Sequence, residues 1–324
     1  MRVLVTGGAG YIGSHFVRLL ADEQIESVVL DNLSAGHRDA VPPNVPLVCA
    51  DVGDRGAVRA LLGEYQPTAV VHFAGLIQVG ESVRAPDLYY GVNLVQTLAM
   101  LEELTRGGVQ LMVMSSTAAV YGVPQTVPIP EDHPRNPINA YGATKLAVER
   151  ALQDWERAYG LRHAALRYFN AAGAHPSGTL AERHDPETHL IPLAIDAAIG
   201  RRGALTIFGE DWPTEDGTCV RDYIHVQDLA TAHLQALRRL EQGAPSMTLN
   251  LGTGRGISVR EIVDSVQRVS GRQVPVQQGT RRQGDPPRLV ACASLAAEAL
   301  GWKPQRSEVD QMIEDALRSR LARE

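Results

Sequence analysis

The chain has 324 residues, enough for one large domain or two. It is 44% hydrophobic and 21% charged, as in an ordinary globular protein, and its formal net charge of -6 argues against a nucleic-acid or polyanion binder. The three cysteines are far apart and show no CxxC or Cys/His spacing, which predicts reduced thiols, a cytoplasmic location and no metal site. No apolar run is long enough to span a bilayer and no signal peptide is recognised, so no membrane association is expected.

A glycine-rich turn joins the first predicted strand to the first predicted helix. The stretch "VLVTGGAGYIGSHF" (3–16) places Gly7, Gly10 and Gly13 three residues apart, and an amphipathic helix is expected to start at Ser14. Glycines let the backbone turn tightly and let a pyrophosphate approach the free N–H groups of a helix start. Taken alone, this pattern is about as typical of an ordinary tight turn.

The context of the turn favours a dinucleotide. Residues 28–30 are predicted as a second buried strand, and Asp31 ends it. That position is about 20 residues past the turn, where a carboxylate can accept hydrogen bonds from an adenosine ribose. Asn32 follows, and no arginine stands beside Asp31 to receive a 2′-phosphate. The sequence therefore predicts NAD rather than NADP.

Strands and helices alternate through the first half of the chain. Further strands are predicted at 69–73, 109–115 and 164–168, and helices at 55–65, 87–104 and 140–159. This alternation predicts an α/β fold, a Rossmann-like doubly wound parallel sheet with its binding groups at the carboxyl ends of the strands. We expect residues 1–168 to form the NAD-binding domain. Residues 169–324 are expected to form mainly a smaller, mixed α/β substrate-binding lobe, with some segments returning to the first domain.

A tyrosine and a lysine lie one turn apart at the start of the helix predicted at 140–159. In "YGATK", Tyr141 and Lys145 share one face of the helix, and Ser115-Ser116-Thr117 ends a strand upstream. A phenol has a pKa of about 10, and a nearby ammonium together with the positive nicotinamide of NAD+ can lower it by roughly 1–3 units. Tyr141 could then take a proton from a sugar hydroxyl, with Thr117 holding that hydroxyl and Lys145 binding the nicotinamide ribose.

These motifs together resemble a known family. The glycine turn, the strand-end "SSTAAVYG" and "YGATK" are the signature of the extended short-chain dehydrogenase/reductases. The stretches "HFAGLIQVGES", "RYFNAAGAHPSG", "IFGEDWPTEDGTCVRDYIHVQDLA" and "RRQGDPP" are similar to those of UDP-glucose 4-epimerases, over nearly the whole chain. The resemblance implies an isomerase of carbohydrate metabolism that keeps NAD bound. It would interconvert UDP-glucose and UDP-galactose at C4 through a transient 4-keto sugar.

The resemblance also implies which residues contact the cofactor and the substrate. Tyr141 would be the base, assisted by Thr117 and Lys145. The residues expected to contact NAD, besides Tyr141 and Lys145, are Gly7, Gly10, Tyr11, Ile12, Gly13, Asp31, Asn32, Asp51, Val52, Phe73, Ala74, Gly75, Asn93, Ser115 and Tyr168. The residues expected to contact the UDP-sugar, besides Thr117 and Tyr141, are Asn170, His189, Leu190, Thr206, Phe208, Arg221, Arg282, Asp285 and Leu289.

Three positions depart from the residues usual in the family. Ile77 stands where lysine is common, so one cofactor contact is expected to be missing. His189 stands where asparagine often bonds the nucleotide, and a ring N–H can donate the same bond. Leu289 stands where tyrosine goes with small hexoses and a small residue goes with N-acetyl sugars, so the substrate range stays open.

Several rival functions share the fold or the cofactor. A nucleotide-sugar 4,6-dehydratase places Asp-Glu after the strand-end threonine, where this chain has Ala118 and Ala119. A UDP-uronate enzyme should add a cationic partner, and no clear candidate is found. Epimerases of UDP-N-acetylhexosamines or UDP-pentoses stay open as alternatives. A non-catalytic NAD-binding regulator is disfavoured by the intact set of Thr117, Tyr141 and Lys145.

The helix predicted at 140–159 carries more apolar residues than one core-facing stripe requires. They are Leu146, Val148, Leu152, Trp155 and Tyr159. Together with the helix near 93–104, they are expected to form the four-helix interface that the family uses across a two-fold axis. The chain is therefore predicted to be a homodimer.

Overall fold

The computed structural model describes residues 1–282 and 285–322. Within these residues, none of the helices has the length and apolar character needed to cross a membrane. The strands are β1 (Arg2–Thr6), β2 (Glu26–Leu30), β3 (Leu47–Val48), β4 (Ala69–His72), β5 (Leu111–Thr117), β6 (Arg162–Tyr168), β7 (Asn170–Ala172), β8 (Leu205–Phe208), β9 (Val220–His225), β10 (Met247–Leu251), β11 (Gly256–Ser258), β12 (Val276–Gly279) and β13 (Arg288–Leu289).

The helices lie between these strands or flank them. The α-helices are α1 (Tyr11–Asp22), α2 (Arg55–Tyr65), α3 (Val79–Arg84), α4 (Pro86–Tyr89), α5 (Thr97–Arg106), α6 (Ala140–Tyr159), α7 (Leu190–Ala198), α8 (Val226–Glu241), α9 (Val259–Ser270), α10 (Ser294–Leu300) and α11 (Val309–Leu321). A π-helical segment covers Tyr90–Gln96, and 3₁₀ turns cover Arg38–Ala40 and Ala118–Tyr121.

The largest sheet has seven strands in the order β10-β6-β5-β4-β1-β2-β3, and all its neighbouring strands are parallel. Alternate residues of β1 enter two different cores. Val3 and Val5 pack with residues of α1 and α8, whereas Leu4 packs with residues of α2 and α5. Helices on both faces are the arrangement of a doubly wound α/β fold, which confirms the predicted fold class.

The second half of the chain builds two smaller sheets and also contributes to the large one. Strands β7, β9, β11 and β13 form a mixed sheet, and β8 pairs in parallel with β12. Helices α7, α9 and α11 share a further apolar core beside them. Strand β10 returns to the edge of the seven-stranded sheet beside β6. The division of the chain into domains at residue 168 stays a prediction.

Two helices match their predicted limits, and two others do not. The structure has α2 and α6 at 55–65 and 140–159, as predicted. Helix α1 begins at Tyr11 rather than Ser14, because Gly10 is its N-cap. The long helix predicted at 87–104 is present as a continuous helical run from Pro86 to Arg106, within which a π-helical segment separates α4 from α5. That segment carries Asn93, whose amide bonds to the backbone of Leu76 and is 3% exposed.

The glycine turn after β1 is packed too tightly for side chains at two of its positions. A Cβ atom added at Gly13 would lie 2.1 Å from the carbonyl oxygen of Gly7. A Cβ atom at Gly7, where φ is +69°, would lie 2.5 Å from the backbone nitrogen of Ala74. These close approaches place the start of α1 directly at the carboxyl ends of β1 and β4.

A buried ion pair anchors α6 to the sheet. Arg167 on β6 donates two hydrogen bonds to the carboxylate of Glu149 on α6, at 2.9 and 2.6 Å. Their side chains are only 1% and 3% exposed. Ser116 on β5 donates to the same carboxylate at 2.5 Å, and Arg167 also donates to the hydroxyl of Tyr121. The register of α6 against β5 is therefore held by polar groups that water does not reach.

Replacement of Gly13 by alanine should destabilise the fold. The new methyl group would overlap the Gly7 carbonyl, and overpacking of this kind costs about 1–3 kcal/mol. The control is Gly63→Ala in α2, where a Cβ meets nothing within 4 Å and alanine should stabilise the helix by about 0.5–1 kcal/mol. Urea unfolding compares the two variants. A Gly13→Ala protein with an unfolding midpoint at or above the wild-type value would contradict this packing.

Replacement of Glu149 by glutamine should lower the free energy of unfolding by about 3–5 kcal/mol, because it leaves the Arg167 guanidinium buried without its anion. The control on the same helix is Asp154→Asn, whose partner Arg157 and own side chain are 73% and 69% exposed. That change should leave the free energy of unfolding nearly unchanged. Equal urea midpoints for the two variants would show that the buried pair does not stabilise the protein.

Candidate active site

The end of β5 and the first turn of α6 bring together the three predicted catalytic residues. Thr117 is the last residue of β5, and its hydroxyl oxygen accepts a hydrogen bond from the Ala119 N–H group at 3.1 Å. Helix α6 can approach this turn only because residue 142 is glycine: a Cβ there would lie 2.4 Å from the Ala119 carbonyl oxygen. This approach sets Tyr141 against Thr117, and the two side chains share a hydrogen bond.

Burial dominates the protonation of Tyr141 and Lys145. Tyr141 is 9% exposed, and burial raises its pKa above the usual value, with the hydrogen bond from Thr117 acting in the opposite direction. Lys145 is 3% exposed, and burial lowers its pKa to about 8, although Glu149 one turn later opposes that shift. The Lys145 ammonium donates to the Ser115 carbonyl at 3.1 Å. The expectation that this ammonium lowers the pKa of Tyr141 is therefore not met by the protein alone.

A second phenol lies beside Tyr141. The hydroxyl groups of Tyr168 and Ser115 share a hydrogen bond. Burial and the neighbouring Tyr141 both raise the pKa of Tyr168. Tyr168 therefore stays neutral and contributes a hydroxyl and an aromatic ring to the site rather than a base.

The loop after β4 closes the other side of Lys145. The Asn93 side chain accepts a hydrogen bond from the Leu76 N–H group at 2.8 Å and donates to the Leu76 carbonyl at 3.0 Å. A Cβ atom at Gly75 would lie 2.9 Å from the Asn93 amide oxygen and 3.5 Å from the Lys145 ammonium nitrogen. Asn93 thus positions the loop of Phe73, Ala74 and Gly75 rather than offering its own amide.

The carboxyl ends of β1 and β2 form a cradle that fits a dinucleotide. Asp31 is 7% exposed, and its two carboxylate oxygens accept the N–H groups of Ala9 at 2.9 Å and Leu33 at 2.8 Å. Each oxygen can still accept a ribose hydroxyl. Helix α1 begins after Gly10 without a side-chain cap, so the N–H groups of its first turn are available to an anion.

The remaining predicted cofactor contacts lie at the same edge. The first turn of α1 consists of Tyr11, Ile12 and Gly13. The Asn32 amide donates to the Asp51 carboxylate at 3.2 Å, and Val52 next to it is buried. The structure therefore places these residues where a strand-end ligand would meet them, as the Rossmann arrangement requires.

Residues predicted to hold the UDP part form two contacting pairs. Arg221 is 13% exposed, donates to the carbonyls of Val220 and Pro286 at 2.9 Å each, and lies 3.9 Å from the Asp285 carboxylate. The guanidinium of Arg282 lies 4.0 Å from the centroid of the Phe208 ring. Such a contact between a cation and an aromatic face is attractive, so each arginine is held by its neighbour.

Three further substrate candidates lie in strands of the two smaller sheets. Thr206 shares β8 with Phe208, and its hydroxyl accepts a hydrogen bond from Gln277 at 2.8 Å. Asn170 begins β7, which pairs with β9. Leu289 in β13 packs against the apolar cluster that includes Ala118 and Val120, in the turn that follows Thr117. Leu289 is therefore connected by direct packing to the catalytic strand end.

His189 lies beside two acidic side chains. It is the N-cap of α7, so that Leu190 is the first helical residue, but its Nδ1 atom faces two carboxylates. The Glu182 oxygen lies at 2.6 Å and the Glu187 oxygen at 3.3 Å. The predicted bond from His189 to the nucleotide stays a prediction.

Sequence reasoning missed His72, which ends β4 and connects elements that flank predicted cofactor residues. Its ring nitrogens hydrogen-bond with Thr6 at 2.6 Å and Thr97 at 3.2 Å, which connects β1, β4 and α5. Burial, assisted by the charge of Lys145, lowers the pKa of His72 to about 3, so the ring is neutral. A histidine ending the apolar run "AVVH" was the available signal.

Comparisons with known proteins agree on the family. Residues 3–252 match the NAD dependent epimerase/dehydratase family. A UDP-glucose 4-epimerase of Azospirillum brasilense is 51% identical over 316 residues, 98% of this chain and 91% of that protein. The crystal structure of UDP-glucose 4-epimerase from Brucella ovis in complex with NAD has a TM-score of 0.95 and 50% identity, covering 98% and 97% of the two chains.

A third relative is named for two substrates. The UDP-Glc/GlcNAc 4-epimerase from Campylobacter jejuni has a TM-score of 0.86 and 40% identity, with 99% of each chain covered. The similarity to these relatives extends over nearly the whole chain. The chain therefore belongs to the NAD dependent epimerase/dehydratase family and, within it, to the UDP-glucose 4-epimerases.

Proposed function

We propose that this chain is an NAD-dependent isomerase that interconverts UDP-glucose and UDP-galactose by inverting C4. The observation that carries the proposal is the convergence of Thr117, Tyr141 and Lys145 beside the cradle at the carboxyl edge of the large sheet. Membership of the UDP-glucose 4-epimerases supports the substrate pair. A cytoplasmic location is proposed as well, with support from the free cysteines Cys49, Cys219 and Cys292.

The cradle fits NAD, and the cofactor when bound would supply a reversible acceptor for the C4 hydride. The N–H groups of the first turn of α1 would bind the pyrophosphate, and Asp31 would accept hydrogen bonds from the adenosine ribose. The Lys145 ammonium, which already faces the carboxyl end of β5, would donate to the nicotinamide ribose. Asn93 would keep the loop of Phe73 to Gly75 against the same part of the cofactor.

Tyr141 would move the proton. In the forward half-reaction the deprotonated Tyr141 oxygen would take the proton of the sugar 4-hydroxyl, the C4 hydride would leave to the acceptor that the bound cofactor supplies, and the C4–O bond would become a carbonyl. Thr117 would hold the hydroxyl and stabilise the phenolate through its hydrogen bond. After the 4-keto sugar turns over in the pocket, Tyr141 returns the proton when hydride is delivered to the opposite face. No net oxidation results.

Arg221 and Arg282 would anchor the diphosphate while the sugar turns. Both present guanidinium groups, which suit anionic oxygens, and Arg221 is already oriented by backbone carbonyls. Asp285 would bond the uridine ribose, and Thr206 and Phe208 would flank the uracil. An activity on N-acetylated UDP-sugars is the second candidate, because Leu289 is smaller than tyrosine and the Campylobacter jejuni relative is named for both substrates.

We propose a homodimer through the surface formed by α3, α4 and the π-helical segment, called here the 79–96 surface. Its exposed apolar side chains are Val79, Val83, Leu88, Tyr90 and Val95, which are 43%, 65%, 43%, 43% and 61% exposed. The earlier interpretation of α6 needs correction, because Leu146, Val148 and Leu152 are buried inside the chain. The 79–96 surface contacts α6, so an interface between these elements would still be helical.

We predict that the NAD-loaded protein converts UDP-galactose to UDP-glucose without added reductant and that Tyr141→Phe removes this turnover. Loss of a general base costs typically 10²–10⁴-fold in rate. NAD retention should persist, because the ring remains. Tyr65→Phe, at the end of α2, is the matched control and should turn over normally. The rate of UDP-glucose formation is measured with a coupled assay. A Tyr141→Phe rate within about threefold of wild type would exclude Tyr141 as the base.

The second prediction concerns sugar size. Leu289→Tyr should slow the reaction of UDP-N-acetylglucosamine more than that of UDP-glucose, because overpacking costs about 1–3 kcal/mol, or roughly tenfold to a hundredfold in rate. Leu295→Tyr on α10, where the side chain is 41% exposed, is the control and should change neither rate. The ratio of kcat/KM values for the two substrates is the measurement. An equal loss for both substrates would mean that Leu289 does not select the sugar.

The third prediction concerns assembly. The wild type should have twice the 35.0 kDa chain mass in light scattering at micromolar concentration, and Val95→Glu should shift it to the single-chain mass. A carboxylate buried in an apolar interface carries a large desolvation cost. Val276→Glu on β12, with a 50% exposed side chain, is the matched control and should remain dimeric. A wild-type monomer, or a dimer that Val95→Glu leaves intact, would argue against the 79–96 surface.

A further inference from the structure

Four side chains of one short segment converge outside the three proposed catalytic residues. In "ERHDPETH" (182–189), Glu182, His184, Glu187 and His189 each direct one nitrogen or oxygen atom to a common point, and these atoms all lie within 4.8 Å of one another. We call this group the 182–189 cluster. Each histidine Nδ1 atom approaches both carboxylates, at 3.0 and 3.9 Å for His184 and at 2.6 and 3.3 Å for His189.

These contacts are close ion pairs in which the ring nitrogens and carboxylate oxygens are not aligned as regular hydrogen bonds. The Glu182 side chain is 6% exposed, and its Oε1 atom lies 2.6 and 3.0 Å from the two Nδ1 atoms. Among the partners that the described residues offer, none is in hydrogen-bonding geometry with Oε1 or with either Nδ1 atom. The carboxylate oxygen therefore lies off the directions in which the ring nitrogens point. Atoms that surround one ion also have this relation to each other.

The spacing of the four atoms suits a small divalent cation. Around a tetrahedral zinc ion with bonds of about 2.0–2.1 Å, ligand atoms lie about 3.3 Å apart. The four histidine–carboxylate separations, 2.6, 3.0, 3.3 and 3.9 Å, scatter around that value. Imidazole and carboxylate ligands in a tetrahedral set favour zinc over magnesium or calcium, which take six or more oxygens. We propose that the 182–189 cluster binds one zinc ion.

Neighbouring groups hold the proposed ligands in place. The Glu187 Oε1 atom accepts the N–H groups of Thr188 at 2.8 Å and His189 at 3.0 Å. Its other oxygen lies 3.6 Å from the guanidinium of Arg320 on α11. Outer partners of this kind orient metal ligands and raise affinity. With zinc bound both rings would be neutral, so that two carboxylates and two imidazoles would balance the divalent charge.

The position of the cluster indicates a structural role. His184 packs edge-on against Tyr11 in the first turn of α1, with ring centroids 6.3 Å apart, and His189 caps α7. A zinc ion here would hold the 182–189 segment in place between the glycine turn and the start of α7. Four protein ligands leave no open position for a substrate, so the ion would stabilise the fold without taking part in proton or hydride transfer.

Zinc content and zinc affinity of the full-length, NAD-loaded protein test the proposal. Protein purified from zinc-supplemented medium should contain about one zinc per chain by elemental analysis. After removal with a chelator and dialysis, titration with zinc chloride should restore one site and raise the unfolding temperature. His184→Gln and Glu182→Gln should each weaken binding by at least about 10–100-fold, the loss typical even for an outer-shell partner.

His175→Gln is the matched control, because this histidine lies outside the cluster, and it should bind zinc as the wild type does. A Cys49→Ser background removes an exposed thiol that could bind zinc adventitiously. Should Glu182→Gln fail to fold, as judged by circular dichroism and NAD content, His184→Gln decides, since its side chain is 19% exposed. Less than about a fifth of an equivalent of zinc, or equal binding by wild type and His184→Gln, would overturn the proposal and leave an ion-pair quartet.

Discussion

The burial of Tyr141 and Lys145 against the carboxyl end of β5 is the constraint on which the rest of the site depends. Burial favours the neutral form of each group, so it raises the pKa of the Tyr141 phenol and lowers that of the Lys145 ammonium to about 8. Two contacts between α6 and the sheet produce this burial. Gly142 brings α6 against the turn after β5, and the Glu149–Arg167 pair holds it there.

This electrostatic arrangement has a consequence for how the base is used. A buried phenol stays protonated until a nearby positive charge lowers its pKa, and the oxidised nicotinamide carries such a charge. The deprotonated form is then most populated when the hydride acceptor is oxidised, which is the state in which the 4-hydroxyl proton must be removed. Lys145 remains largely protonated near neutral pH because its pKa is about 8, so it keeps its donor role toward the Ser115 carbonyl. Neither the change in the Tyr141 pKa nor the hydrogen bond from Lys145 depends on contact with solvent.

Local sequence signals predicted much of the fold. Helices α2 and α6 have the predicted limits, and the side chains of their N-cap residues, Asp54 and Asn139, accept backbone N–H groups of the first turn. The π-helical segment was missed, because it accompanies a tertiary bond between Asn93 and Leu76 that no local pattern encodes. The apolar residues of α6 were assigned to an interface, whereas the β5–β6 side of the sheet buries Leu152 and Val148.

The site shows the same division. The identity of Tyr141, Lys145 and Thr117 could be predicted from spacing, but the sign of the Tyr141 pKa shift could not, because desolvation depends on everything packed around the ring. The 182–189 cluster was missed because a search for Cys and His pairs ignores mixed Glu and His ligands. Its signal was present as alternating Glu and His residues, which converge only when Pro186 and the start of α7 turn the segment back on itself.

We infer that Tyr141 is a neutral phenol in the protein alone and that a neighbouring positive charge lowers its pKa, so that the phenolate becomes available as the base. The direct measurement is the pKa of Tyr141 by ultraviolet difference absorbance in protein loaded with NAD+ and in protein loaded with NADH, with Tyr141→Phe supplying the baseline in each state. The two loaded forms differ by one charge at the nicotinamide. We expect the pKa of Tyr141 to be lower by about one unit or more with NAD+ than with NADH. The same Tyr141 pKa in both forms would contradict the inference.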